Sequence, residues 1–212
     1  DGGYRLAVHI ADVAHYVRPG SRLDHEARLR GNSAYFPDRV VPMLPEKISN
    51  DLCSLQERQE RPCLAVRIVV DAQGNKRRHS FQRALMRSAA KLTYEEAQAA
   101  IDGRPNGACR PLLDSVLRPL WAAYAALAVA RDRREPLLLD LPERKVQLDE
   151  HGRVARVVVP ERLEAHRLIE EFMIQANVAA AETLALKHAP VIFRVHEPPS
   201  REKLVALREF LA

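Results

Sequence analysis

Two adjacent glutamates stand inside an otherwise apolar helical stretch in the last quarter of the sequence. Glu170 follows His166 by four residues and precedes Asn177 by seven, spacings that place these three polar side chains on one helix face. Such a face is either a solvated surface or the wall of a site, in which a carboxylate and an amide meet a polar ligand. The spacing leaves both interpretations open.

Three aromatic residues are candidates for stacking against a nucleic-acid base. Tyr35 and Phe36 follow small and polar residues in segment 32–50, which holds three prolines and is predicted to be irregular. The pair either offers a stacking platform or anchors this long loop to the core, and the sequence favours neither. Tyr94 opens a predicted helix, a position where an aromatic ring more often packs against the protein.

Residues that bind metals in proteins are sparse in this chain. Asp12 follows an apolar strand, where metal-binding carboxylates often lie, but no second carboxylate is close to it in sequence. The three cysteines, an odd number without CxxC spacing, argue against a zinc site or a disulfide framework and favour a reducing cytoplasm. Walker A, GxGxxG and GxSxG motifs are lacking, which disfavours P-loop NTPases, Rossmann dehydrogenases and α/β-hydrolases.

The composition is that of an ordinary globular chain. Of 212 residues, 47% are apolar and 29% are charged, which excludes a disordered or collagen-like protein. No apolar run reaches the ~18–20 residues that a membrane span needs, so we expect a soluble protein without a membrane partner. The formal net charge is +5, and 27 of the 33 basic residues are arginine. Arginine binds phosphate well, so the charge permits a nucleic-acid partner without requiring one.

Alternating apolar residues predict the strands that must position these side chains. The pattern runs over 4–17 and over 63–70, and the second run is followed by a turn and a further strand at 79–87. Another hairpin is predicted around the turn at 149–152, and a short strand at 191–195.

Helices are predicted from their caps and from apolar residues that recur with helical period. Asp24 is a plausible N-cap, and Gly31 closes that helix; Thr93 and Glu96 form a capping box for the next one. Pro119 is expected either to kink its helix or to mark its true start. The predicted helices span 24–30, 94–101, 112–134 and 162–186, with a last one capped by Ser200. Together the elements predict an α+β fold, a mixed β-sheet with hairpins packed by helices.

Several blocks, in order along the chain, resemble the catalytic (RNB) domain of the ribonuclease II/ribonuclease R family of exoribonucleases. They are VHIADVAHYV (8–17), SAYFP (33–37), VPMLPEKISNDLCSL (41–55), KLTY (91–94), HRLIEEFMI (166–174), AN (176–177) and FRVH (193–196). The resemblance covers essentially the whole chain and is nearer to the ribonuclease R branch. It implies an RNB-type domain of which 1–212 is the central part, truncated at both ends.

The resemblance implies processive 3′-to-5′ hydrolysis of single-stranded RNA to nucleoside 5′-monophosphates, with Mg²⁺ or Mn²⁺. The family's metal-binding aspartates match no residue here and are expected upstream of Asp1, so no catalytic or metal residue is assigned within the chain. Three RNA-binding positions do match. Tyr35 corresponds to the tyrosine that stacks at the 3′-terminal nucleotide, and Tyr94 to an aromatic residue of the RNA channel. Glu170 corresponds to the acidic residue that hydrogen-bonds ribose hydroxyls and separates RNA from DNA.

The same resemblance carries one departure and several expectations. Where family members have a phenylalanine that stacks with the Tyr35-type residue, this chain has leucine, Leu138 or Leu139, which stacks poorly on a base. A phosphate-binding arginine is expected beyond Ala212, and flanking RNA-binding domains outside the chain. We therefore expect a cytoplasmic exoribonuclease whose fragment 1–212 is inactive alone. The alternative is a non-catalytic RNA-binding or scaffold relative.

Overall fold

The computed structural model describes residues 2–135 and 141–211. The strands are β1 (Tyr4–Ala11), β2 (Ala34–Tyr35), β3 (Val40–Val41), β4 (Glu60–Val70), β5 (Lys76–Arg87), β6 (Lys145–Leu148) and β7 (Val154–Val158). The helices are α1 (Val13–Tyr16), α2 (Arg22–Arg30), α3 (Tyr94–Ile101), α4 (Arg118–Asp132), α5 (Glu164–Leu186) and α6 (Arg201–Leu211). Shorter helical turns cover Lys47–Leu52, Arg110–Leu112 and Leu113–Leu117. The chain forms two compact units, Asp1–Ala179 and Ala180–Ala212, which are described separately.

The first unit is built on an antiparallel sheet with the strand order β1–β4–β5. Alternate residues of a strand share a face, and Leu6 of β1 lies opposite Ile68 of β4 on the face that is buried. Val66 and Val70 complete this apolar row along β4. The predicted hairpin of β4 and β5 is confirmed, although β4 begins earlier than expected, at Glu60.

Helices α4 and α5 contribute the other side of this core. Tyr124 and Leu127 of α4 join Leu168 and Phe172 of α5 in one buried cluster with the sheet. By length and composition alone, the helical segment Arg110–Asp132 could cross a membrane. The sequence did not indicate this, because charged residues and prolines interrupt its apolar residues. Its buried residues pack on the sheet, as in the core helix of a globular domain.

The turn between β4 and β5 packs closely on α4. Gly74 has a φ of +78°, and a Cβ atom there would lie 2.0 Å from the carbonyl oxygen of Ala126. Only glycine permits this approach together with the positive φ. The Arg133 guanidinium also donates to the carbonyl of Gln73 at 2.7 Å, so the hairpin and the helix are held at a set distance.

The first strand is shorter than the alternating pattern predicts. β1 ends at Ala11, opposite Cys63, because the next residue of β4 is Pro62, which has no N–H to continue the ladder. The Asp12 amide instead donates to the Pro62 carbonyl at 3.1 Å, and α1 then turns the chain. The prediction of a strand over 4–17 is therefore wrong beyond Ala11.

Caps and prolines decide where the helices begin. The Ser21 hydroxyl accepts from the Asp24 amide at 3.2 Å, so Ser21 and not Asp24 is the N-cap of α2. The predicted capping box of Thr93 and Glu96 is confirmed by both of its hydrogen bonds. Pro119 lies in the first turn of α4, where a missing N–H costs nothing, and so marks a start rather than a kink.

Two segments of the chain differ from their predicted secondary structure. Segment 32–50 is more regular than expected, since β2 and β3 pair within it and a helical turn begins at Lys47. In the second unit, Ser200 caps α6 as predicted, its hydroxyl accepting from the Lys203 amide at 3.4 Å. The strand predicted at 191–195 is wrong, because no described strand pairs with its backbone.

The α+β class is confirmed. The hairpin of β6 and β7 forms as predicted, and each ladder among the described strands is antiparallel. An isolated parallel bridge joins Glu57 to Ser88, just outside β4 and β5.

Candidate nucleic-acid interface

Tyr94 lies at the first position of α3, directly after its Thr93 cap, and its side chain is 42% exposed. Its ring stacks on the imidazole of His166 in α5, with centroids 4.0 Å apart and an interplanar angle of 24°. The side-chain oxygen of Gln98 accepts from the Ala165 amide at 3.0 Å and joins the same two helices. One face of the Tyr94 ring is therefore used within the protein, and stacking on its other face is the way it can hold a base.

The orientation of His166 is set by the backbone just before it. The Leu163 amide donates to Nδ1 of the imidazole at 3.2 Å. The imidazole is thus held against both the helix start and the Tyr94 ring.

Glu170 lies one turn after His166 on α5 and is exposed. Its carboxylate forms an ion pair with Arg162, and both side chains are about half exposed. Tyr94 contacts His166, and Glu170 lies one turn further along α5. The structure thereby brings Tyr94 and Glu170 to the same end of this helix. A carboxylate and a guanidinium side by side can accept from a sugar hydroxyl and donate to a phosphate.

The neighbouring Glu171 differs from Glu170 in its surroundings. It is only 3% exposed, and its carboxylate accepts from Arg131 of α4 at 3.1 Å. Partial burial lowers the pKa of Arg131, but hydrogen bonds to Asp132, Tyr124 and Glu171 outweigh it and raise that pKa above its ordinary value. The glutamate pair thus divides into an inner residue that ties α5 to α4 and an outer one that faces solvent.

Tyr35 lies on the two-stranded ribbon, with its backbone paired to Val40, and is 79% exposed. The Arg39 guanidinium lies over the ring of the adjacent Phe36, 5.4 Å from the centroid. An aromatic side chain this exposed does not anchor the loop to the core, so the structure favours the interpretation of Tyr35 as a stacking platform.

Tyr35 stands apart from the other two predicted RNA-binding residues. In the part of the chain that the structure describes, no hydrogen bond, ion pair or ring contact joins Tyr35 to Tyr94 or to Glu170. The leucines at 138 and 139, predicted to replace a stacking phenylalanine, lie outside the described residues.

Asp12 is buried and is paired with a cation. Its carboxylate accepts from Arg83 of β5 at 3.0 Å. Burial and then the negative charge of Asp12 raise the pKa of the Cys53 and Cys63 thiols, which disfavours the thiolate. Across residues 2–135 and 141–211, no three His, Cys, Asp or Glu side chains come together in a way that could hold a metal ion.

The family model of the RNB domain matches residues 1–212 of the chain. The chain belongs to the RNB domain family. A curated relative, ribonuclease R of Aquifex aeolicus, is 44% identical over 214 residues, a match that covers 100% of this RNB domain and 30% of the relative. The predicted resemblance is thereby confirmed, and the chain spans 26–30% of the length of such relatives.

Solved structures agree with this assignment. Mycoplasma genitalium RNase R in complex with ribose methylated single-stranded RNA has a TM-score of 0.91 and 32% identity, over 97% of this RNB domain and 32% of that chain. The same enzyme in complex with double-stranded RNA has a TM-score of 0.91 and 31% identity, over 98% and 37% of the two chains. The fold expected from the resemblance is confirmed.

From the sequence alone, neither His166 nor Arg162 could be given a role in this site. His166 was placed on a polar stripe by its spacing, but its ring partner Tyr94 belongs to a distant helix and shares no pattern with it. Arg162 lies before the start of α5, so no helical spacing connects it to Glu170. Arginine just ahead of a helix that carries an exposed glutamate is too common a pattern to indicate a pair.

Proposed function

We propose that this RNB domain is the central part of the catalytic domain of a processive 3′-to-5′ exoribonuclease, which hydrolyses single-stranded RNA to nucleoside 5′-monophosphates. The observation that supports it best is the half-exposed Tyr94 ring, backed by His166, one turn from the exposed Glu170 carboxylate. A ring for a base beside an acceptor for a ribose hydroxyl fits RNA better than DNA.

Each residue then has a defined part in holding the strand. The free face of Tyr94 stacks on a base, and Glu170 accepts a hydrogen bond from a ribose 2′-hydroxyl. Arg162, paired with Glu170, keeps that carboxylate oriented. Tyr35, on its separate ribbon, stacks on the 3′-terminal nucleotide and limits how short the final product becomes.

The hydrolysis itself is proposed to depend on residues outside this chain. Mg²⁺ or Mn²⁺ would activate water and stabilise the leaving oxygen. The residues that the structure describes do not fit such a metal, because their one buried strand-end carboxylate, Asp12, is neutralised by Arg83. We place the metal-binding aspartates upstream of Asp1, so this chain supplies the grip on RNA and not the reaction centre.

The proposal extends to the rest of the protein and to its location. The curated relative is much longer than this chain, which supports flanking RNA-binding domains in the same protein. Cys53, Cys63 and Cys109 are free thiols, which suits a reducing cytoplasm.

The test compares the full-length protein with fragment 1–212 on single-stranded RNA labelled at either end. With Mg²⁺ present, the full-length protein should release nucleoside 5′-monophosphates from the 3′ end, and the fragment, shown to be folded by circular dichroism, should release none. Release by the fragment would contradict the placement of the metal ligands. A full-length protein that binds RNA and releases nothing, with Mg²⁺ or Mn²⁺, would favour the alternative of a non-catalytic RNA-binding relative.

A further inference from the structure

Three arginines lie on the face of the central sheet that points away from the core. Arg5 of β1 and Arg78 of β5 flank Val69 of β4 in one row of paired residues. Arg67 lies on β4 two positions before Val69, and residues two apart along a strand share a face. We call Arg5, Arg67 and Arg78 the arginine face.

No carboxylate among the described residues pairs with the arginine face. All three side chains belong to exposed residues, and none forms an ion pair with a carboxylate among the residues that the structure describes. Asp71, the carboxylate nearest in the sequence to this face, is already held by Arg77 at 2.7 Å. Hydrogen bonds from Asn75 lower the pKa of Asp71, so it stays engaged in its own turn. Within the described part of the chain, the arginine face is therefore a cluster of positive charge without a carboxylate partner.

The surface around the arginine face is shallow, and the side chains between the arginines are small. Two adjoining depressions, of about 460 and 570 Å³, share Arg5, Val69 and Arg78 in their linings. Ala7 and Ser80 flank Arg67 in the neighbouring row. None of these residues is an exposed large apolar side chain of the kind that anchors a protein partner. Charge, and not apolar contact, is what this surface offers.

The backbones that carry the three arginines are spread across the sheet. Neighbouring strands lie about 4.8 Å apart, so the backbones of Arg5 and Arg78 are separated by about 10 Å across the sheet, and that of Arg67 is offset by about 7 Å along it. Three guanidiniums spread in this way carry more hydrogen-bond donors than one phosphate can accept from. A chain of phosphates can engage all three, since each guanidinium can bind one phosphate through paired donors.

We propose that the arginine face binds the phosphate backbone of single-stranded RNA, at a surface separate from Tyr35, Tyr94 and Glu170. The proposal rests on the proposed function, because RNA is the polyanion that such a protein handles. Binding at the arginine face depends on the length of the RNA strand and on salt concentration, and it has no preference for particular bases. Long strands are held there, while the RNA-binding tyrosines and Glu170 act on the end being shortened.

The test uses the full-length protein and measures the dissociation constant for a long single-stranded RNA at several salt concentrations. One variant carries Arg5→Gln, Arg67→Gln and Arg78→Gln. The control carries Arg110→Gln, Arg144→Gln and Arg153→Gln, which removes the same charge from exposed arginines without a described ion pair elsewhere in the first unit. Each phosphate contact on a single strand contributes about 0.7 to the magnitude of the slope of log K against log salt. The magnitude of the slope should therefore fall by about 2 in the first variant and hardly change in the control.

Two further measurements separate the outcomes. Digestion of a tetranucleotide should be unchanged in the triple variant, because the arginine face does not hold the 3′ end. The single variant Arg67→Gln, which places the least demand on folding, should lose about 0.7 from the slope. A triple variant with the slope of the control would overturn the inference. If the triple variant loses slope as expected but the wild-type protein digests no RNA, the binding role of the arginine face is supported and the proposed function is refuted.

Discussion

The ring of Tyr94 lies nearly parallel to the ring of His166, with their centroids 4.0 Å apart. The contact joins the first residue of α3 to the first turn of α5 and places an aromatic face one turn from Glu170. Because His166 is held in turn by the Leu163 amide, the pair is a rigid support rather than a chance contact. The orientation of Tyr94 toward RNA therefore depends on a histidine that does not have to touch RNA itself.

Removing the imidazole should weaken RNA binding without stopping the reaction. An aromatic pair contributes about 0.5–1.5 kcal/mol beyond its buried area, so His166→Ala should raise KM about 2- to 10-fold and leave kcat nearly unchanged. His166→Phe keeps the stacked ring and should restore most of the loss. Steady-state kinetics of the full-length protein on single-stranded RNA provide the measurement. If the phenylalanine variant is as poor as the alanine one, the support comes from the Leu163 hydrogen bond and not from stacking.

Glu170 should control the choice between RNA and DNA. Hydrogen bonds to charged groups contribute about 1.5–3 kcal/mol, so Glu170→Ala should weaken RNA binding about 10- to 100-fold and DNA binding far less. Competition of the two strands for the full-length protein measures the preference. Glu164→Ala removes an exposed carboxylate from the same helix and should leave it unchanged. Equal losses on RNA and DNA would assign Glu170 a merely structural role.

The exposed Arg162 partner should contribute less, since surface ion pairs are worth about 0.2–1 kcal/mol.

Loss of the Tyr35 ring should change where digestion stops. Stacking on a base contributes about 1–3 kcal/mol, so Tyr35→Ala should release longer final products while internal steps continue. Tyr35→Phe keeps the ring and should leave the product ladder as in the wild type. Both ladders can be resolved on a sequencing gel after complete digestion by the full-length protein. An alanine variant with the wild-type ladder would remove Tyr35 from the RNA-binding set.

The start of α3 should become less stable in acid. A hydrogen bond from the Thr93 amide holds the pKa of Glu96 below its ordinary value of 4.5; burial opposes this, and the Asn106 side chain adds to it. Because the folded-state pKa is depressed, this stabilisation is complete above pH 4.5 and is lost as the pH falls below it. The urea midpoint of the wild type should therefore exceed that of Glu96→Gln at pH 7, and the gap should close on acidification. A gap between the two midpoints that stays constant on acidification would contradict this expectation.

The buried contact between Glu171 and Arg131 should matter for stability and not for substrate preference. Glu171→Ala leaves the Arg131 cation partly buried with fewer partners, which should cost about 3 kcal/mol of unfolding free energy. Pairing it with Arg131→Met removes the uncompensated charge and should recover much of that loss. The fluorescence of Trp121, the one tryptophan of this chain, reports unfolding in urea because its ring packs against the core. A double variant no more stable than the single one would show that packing, and not charge, is what Glu171 provides.

Local features were largely predictable before the fold was seen. The capping box at Thr93, the Ser200 cap and both hairpins follow from residues only a few positions apart, and they are found where the sequence predicts them. Errors arose where a distant residue intervened. β1 stops at Ala11 because Pro62, on another strand, cannot continue the ladder. The strand expected at 191–195 had the right alternation, but alternation does not supply a neighbouring strand.

The amino-acid sequence sufficed for the family and for most of the longer strands and helices, because motif blocks and caps are read along the chain, and it nominated the three candidate RNA-binding residues. It did not distinguish Glu170 from Glu171, two identical residues about 100° apart around one helix. Only packing against α4 buries one and leaves the other in solvent. The stack of Tyr94 on His166 and the alignment of Arg5, Arg67 and Arg78 on one sheet face likewise depend on the pairing of distant segments. Such side chains meet only when burial of the apolar core has set the positions of the strands and helices that carry them.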